Sequence, residues 1–81
     1  MILHVKEAKY LGDYRIWLKF NDQAIGEIDL KDELDGPVFE PLKDLDEFKK
    51  FQVCPTLETI VWDNGADLAP EFLYEKMKFV A

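Results

Sequence analysis

The chain has 81 residues, 48% of them hydrophobic, and 17 acidic against 10 basic side chains give a formal net charge of -7. A chain this short is expected to form one domain over residues 1–81 with a small core, burying about 60 to 65% of its unfolded surface. A single cysteine, no apolar run near the roughly 18 residues that span a bilayer, and no signal-peptide order in the first ten residues argue against a disulfide framework, a membrane protein and secretion, so a cytoplasmic protein is expected.

In chain order, "ILHVKEAKYL" (residues 2–11) and "YRIWLKF" (14–20) read as strands separated at Gly12-Asp13. A third strand follows over 24–30. Ile16, Leu18 and Phe20 share one face of the second strand, and Ala24, Gly26, Ile28 and Leu30 share one face of the third. The two sets meet only across a three-residue loop, Asn21-Asp22-Gln23, which asks Gln23 to take a left-handed backbone conformation. The same register puts Trp17 opposite Glu27 and Arg15 opposite Asp29, the latter as a cross-strand ion pair. Trp17 then stands among charges. It is either covered by another element or serves as an anchor in a protein contact.

Further on, "LKDELDG" reads as one or two helical turns stopped by Gly36 and Pro37, and "VFEPLKD" as extended or irregular. Asp44 is the expected N-cap of a short helix to about Lys50, with Glu47 at the capping-box position. "FQVCP" and "ETIVW" read as two strands joined around Pro55-Thr56. Asn64-Gly65 is expected to supply the positive backbone angles of a tight turn, and Asp67 to accept a backbone bond there or at the helix entrance, since Ala69 has no acceptor. Pro70 opens a helix to about Lys78 whose apolar face would hold Phe72, Leu73, Met77 and Val80. The fold class is therefore α+β: a three-stranded antiparallel meander, a second hairpin and two or three short helices, one of them C-terminal.

Charge is concentrated in the middle, where residues 21–48 carry ten acidic and two basic side chains. That field repels phosphate backbones, so no direct nucleic-acid binding is expected. The acidic stretch reads either as a solvated face or as a docking face for a basic protein. Catalytic groups are scarce. No serine is present, and Cys54 and His4 are the only cysteine and histidine. With neither a cationic neighbour nor a helix start beside Cys54, they are not expected to form a catalytic pair, and one histidine and one cysteine do not make a zinc site. The acidic cluster around Asp32 departs from the calcium-loop pattern, and no glycine-rich phosphate loop occurs. No metal, no cofactor and no enzyme activity are expected.

"TIVWDNGADLAPEFLY" (59–74), with "YRIWLKF", "EIDL" and "GPVFEPLKD", resembles the bacterial family catalogued as domain of unknown function 2442 over nearly the whole chain. The most specific part is Trp62, Asn64, Gly65 and Asp67, followed by Leu73-Tyr74. Many members place a proline before the Asn-Gly and a glycine in the first hairpin loop, where this chain has Asp63 and Gln23. The resemblance implies a compact α+β domain without an established activity. Some relatives are fused to a helix-turn-helix DNA-binding domain, and others are encoded beside another small protein in a toxin-antitoxin-like arrangement. With the sequence ending at Ala81, a regulatory role would act through a partner. The expectation is a non-enzymatic, antitoxin-like interaction module for a small protein partner, with Trp17, Arg15, Glu27 and Asp29 as contacts. A homo-oligomer is compatible with it. The alternative is a small-ligand sensor with a pocket at Trp62, Asn64 and Asp67.

Overall fold

Side-chain alternation in the first half of the chain builds a sheet with one apolar and one charged face. In the computed structural model, which describes residues 2–79, β1 (Val5–Gly12), β2 (Arg15–Phe20) and β3 (Ile25–Asp29) form an antiparallel meander. Ile16 lies opposite Ile28, Leu18 opposite Gly26 and Trp17 opposite Glu27, the register that parity requires. Ala24 O accepts from Phe20 N–H at 2.9 Å, closing the three-residue loop, and Gln23 takes φ +73°. The first strand starts at Val5 rather than Ile2. Bulges interrupt its pairing between Val5 and Glu7 and between Tyr10 and Gly12.

Residues 30–50 cover the apolar face of this sheet. A 3-10 helix at Lys31–Glu33 accounts for the single turn before Gly36, but a second at Glu40–Lys43 replaces the irregular segment expected there. Pro41 sits in its first turn, where a missing N–H costs nothing. The next helix, α1 (Leu45–Phe48), is capped by Asp44, whose Oδ1 accepts from Asp46 N–H at 2.9 Å. It stops short of Lys50 and has no capping box. Asp44 N–H is already donated to Pro41 O, and Glu47 pairs with Lys50 instead.

β4 (Gln52–Cys54) and β5 (Thr59–Val61) form the second hairpin, followed by α2 (Pro70–Lys76). α2 ends two residues earlier than expected because Lys78 and Phe79 pair with Glu27 and Gly26 as β6 (Lys78–Phe79), completing a sheet of order β1-β2-β3-β6. Of the expected apolar face of α2, Leu73 and Met77 are buried and Phe72 is half-buried, while Val80 lies outside the described residues. The result is a compact α+β fold with a radius of gyration of 11.7 Å, close to the ~12 Å usual for this length.

One apolar cluster joins all these parts. Ile16, Leu18 and Phe20 from the meander meet Leu34 and Leu42 from the covering segment, Ile60 from β5 and Leu73 from α2. Phe48 is its aromatic centre, with Tyr14, Trp62 and Phe51 ring centroids at 5.3, 5.8 and 6.4 Å. Tyr14 also donates its hydroxyl to Lys43 O, tying the start of β2 to the covering segment.

Candidate functional site

Residues 62–67 carry the most distinctive sequence pattern, and the polar groups of Trp62 and Asn64 are turned to internal use. Trp62 is buried, and its indole Nε1–H donates to Phe48 O at 2.8 Å. Trp62 N–H donates to Ala66 O and Gly65 N–H to Trp62 O, enclosing a three-residue loop of Asp63, Asn64 and Gly65. Only Gly65 has a positive φ (+91°); the expectation that Asn64 shares it is corrected. A three-residue loop needs one left-handed residue at its third position, whereas a two-residue loop needs two.

The β2–β3 hairpin has the same construction. Gln23 and Gly65 occupy the left-handed third position, and Asp22 and Asn64 the second. Asp22 Oδ1 accepts from Ala24 N–H at 2.9 Å, as Asn64 Oδ1 does from Ala66 N–H at 3.0 Å. Each side chain also reaches a distant segment through its other atom. Asp22 Oδ2 accepts from the Tyr74 hydroxyl at 2.8 Å, and Asn64 Nδ2 donates to Val38 O at 2.8 Å. The bond from Ala24 N–H and then that from Tyr74 hold the Asp22 carboxyl below its ordinary pKa, and the bond to Asp22 raises that of Tyr74. Both corners are therefore latches between a loop and a remote part of the chain.

This structural use of Asn64 gives a measurable expectation. Asn64→Ala should lose about 1 to 2 kcal/mol of stability, from two hydrogen bonds at an exposed site. Asn64→Asp keeps the acceptor and loses the donor, so its urea midpoint should fall between wild type and Ala. Equal midpoints for all three would return Asn64 to the list of ligand-contacting candidates.

Asp67, the last of the pattern, is exposed and pairs with Val61 through a single antiparallel bridge. Its carboxylate makes none of the hydrogen bonds found among the described residues, so the expected backbone bond is absent. Leu68 O is instead held by Thr59 Oγ1 at 2.5 Å. A cleft of about 240 Å3 does lie beside Trp62 and Asn64, walled by Pro41, Leu42, Glu47 and Lys50. Trp62 and Asn64 border it with their hydrogen-bonding groups already engaged, Nε1 with Phe48 and the amide with Val38 and Ala66.

A larger cleft, about 390 Å3, brings His4 together with Cys54 and Glu58, which lie close to each other but far along the chain from it. His4 precedes β1, and its Nε2 lies 2.6 Å from Glu58 Oε2. Cys54 Sγ accepts from Leu57 N–H at 3.5 Å. The histidine nitrogen is thus engaged by the carboxylate, with no hydrogen bond to the thiol. Glu58 was not singled out from sequence. Its position follows from a φ of +58° in the β4–β5 loop, a conformation that no local residue pattern announces. Among the described residues no three His, Cys, Asp or Glu side chains are grouped to hold a metal ion, and no helix is long and apolar enough to cross a membrane.

The charged face of the four-stranded sheet holds the remaining candidates. Trp17 stands at its centre, half-buried, with Lys9 Nζ 4.9 Å from its ring centroid and Glu27 opposite on β3. Its neighbours Glu7, Lys9, Glu27 and Lys78 are exposed, so solvent, not another element, covers this face. Arg15 faces Asp29 as expected, but the ion pair does not form. Asp29 Oδ1 turns back to accept from Lys31 N–H at 3.0 Å, satisfying the strand end locally. The structure also separates two features that sequence linked. The acidic segment 32–47 covers the apolar side of the sheet through Leu34 and Leu42, and Trp17 lies on the other side.

A family model described as a protein of unknown function (DUF2442) matches residues 5–79. Comparison with curated proteins and comparison with solved structures each gave no match.

Proposed function

The chain belongs to the DUF2442 family, and from that premise we propose a non-enzymatic protein-interaction module that docks through the charged face of its four-stranded sheet. The observation that carries this reading is the placement of Trp17: a large aromatic at the centre of an open face, ringed by exposed charges. Buried hot spots in protein interfaces have this composition, an aromatic anchor inside a polar rim. The latch roles of Asp22 and Asn64 and the engaged nitrogen of His4 support the non-enzymatic part, because the polar groups that chemistry would recruit have structural partners.

An antitoxin-like role, in which the module covers the working surface of a small protein, fits within this proposal. Recognition of a basic partner would use the acidic segment for long-range attraction, on the side of the molecule away from Trp17. A partner that uses both must wrap around a sheet edge.

The test compares the tagged protein with its Trp17→Ala variant in affinity capture from the native host, at low and high salt. Trp17→Ala should stay folded, losing about 1 kcal/mol for its contacts with Lys9 and its cross-strand neighbours. The wild type should retain a stoichiometric protein that the variant loses. A partner retained by both would move the docking surface elsewhere, and an unfolded variant would make Trp17 a core residue.

A further inference from the structure

We propose that the open end of β3 takes the C-terminal carboxylate of a partner protein, laid antiparallel beside Asp29. The proposal rests on the docking-face reading and adds what the partner presents at the edge of that face.

Strand parity locates the site. Phe20 N–H donates to Ala24 O and Leu30 N–H to Tyr14 O, each across from β2 to β3 or back. Even-numbered residues of β3 therefore turn their peptide groups toward β2, and odd-numbered ones turn theirs outward. On that outer side Glu27 meets Lys78 of β6. Asp29, the next outward residue, would meet position 76, but Lys76 is the last residue of α2. The Asp29 N–H and C=O are left without a strand partner, at the wall of a cleft of about 370 Å3 that Arg15, Lys76 and Lys78 also line.

Charge selects the ligand. Lys19, Lys43, Lys49 and Lys50 each have a carboxylate partner, whereas Arg15, Lys76 and Lys78 have none among the described residues. Arg15 loses the obvious one because Asp29 Oδ1 accepts from Lys31 N–H. The three cations of the cleft face two carboxylates, Glu27 and Asp29, so one further negative charge balances it. A dianionic phosphate would overshoot, beside two carboxylates on a chain of net charge -7. A carboxylate brings a single charge and two oxygens, which suit the arginine fork.

Direction makes the ligand a chain end. A segment entering from the open corner antiparallel to β3 runs toward β6, where the turn from α2 into Lys78 blocks its path. Its last residue then lies opposite Asp29. The N–H of that residue donates to Asp29 O, one carboxylate oxygen accepts from Asp29 N–H, and the other turns to the cations. An internal acidic residue would need its chain to continue through Lys76 and Met77. The opposite edge of the sheet has no equivalent, since Val5 N–H of β1 is donated to Glu58 O and bulges interrupt the strand.

NMR titration of the isotope-labelled chain with acetyl-trialanine, which ends in a free carboxylate, and with its carboxamide tests this. Two main-chain bonds and one charge-assisted contact in an open cleft predict a Kd on the order of 1 mM. Saturable shifts are expected at the Asp29 and Lys78 amides. The carboxamide should bind about tenfold more weakly, and so should acetyl-trialanine to the double variant Arg15→Gln with Lys76→Gln, two exposed positions, with circular dichroism unchanged. No saturable shift up to about 10 mM overturns the proposal. So does a carboxamide that binds equally well, or a folded double variant that binds like the wild type. Trp17→Ala should bind acetyl-trialanine normally. A cleft that ignores the peptide beside a protein still captured through Trp17 would discard the chain end and keep the docking face; peptide binding without such a protein would do the reverse.

Discussion

Phe48→Ala is expected to remove a large share of the chain's stability, about 3 to 5 kcal/mol. Phe48 is fully buried, and its ring meets Tyr10, Tyr14, Phe51 and Trp62. Replacing a buried Phe by Ala costs about 3 to 5 kcal/mol, through lost transfer energy and the cavity left behind. A fold of this length has roughly 4 to 12 kcal/mol in total. The loss should be near the upper figure because four aromatic neighbours are stiff and cannot collapse inward as aliphatic chains would. Far-ultraviolet circular dichroism and a urea titration check it. A midpoint shift no larger than that of Trp17→Ala would show that the aromatic cluster is not the organising centre of the core.

The second large effect should come from one carbon atom at Gly26. A Cβ built there would lie 2.7 Å from Lys78 O, 2.7 Å from Met77 Sδ and 3.0 Å from Met77 Cγ. The methionine side chain can swing aside. The carbonyl belongs to β6, so relieving the clash means moving that strand away from β3. Gly26→Ala is thus expected to cost about 1 to 3 kcal/mol. Hydrogen exchange at Lys78 and Phe79 should rise more than in β1, and Gly26→Val should be worse. An Ala variant with wild-type midpoint and unchanged exchange would mean that β6 does not press on β3 in solution.

The readability of these features from sequence follows their range. Period-two alternation is local and strict, so the β2–β3 register, the three-residue loop and the left-handed Gln23 all follow from where Ile16, Leu18, Ile28 and Leu30 fall. The buried Leu73 and Met77 were legible from helical spacing in the same way. β6 was not. Two residues carry too little pattern, and their pairing depends on Gly26, about fifty positions earlier, leaving room. The same limit applies at the corners. Asn64-Gly65 marks a turn, but loop length decides which residues take positive φ, and it was the Ala66 carbonyl returning to Trp62 N–H that set it. Of the candidate contacts, the sequence placed Trp17, Arg15, Glu27 and Asp29 on one face correctly. It did not foresee that Asp29 would satisfy Lys31 N–H instead of Arg15, because both acceptable partners lie within reach of one short side chain. Nor did it bring His4 to Glu58, a contact made by two irregular segments with no periodicity to read.

The alternation in β2 has an evolutionary consequence. Ile16, Leu18 and Phe20 are fully buried, whereas Arg15, Trp17 and Lys19 meet solvent on the other side of the same six residues. Mutations at the second set alter what the molecule meets and leave the interior packing alone. A lineage can then drift from one binding specificity to another by steps that each keep a folded protein, and relatives should diverge faster at residues 15, 17 and 19 than at 16, 18 and 20.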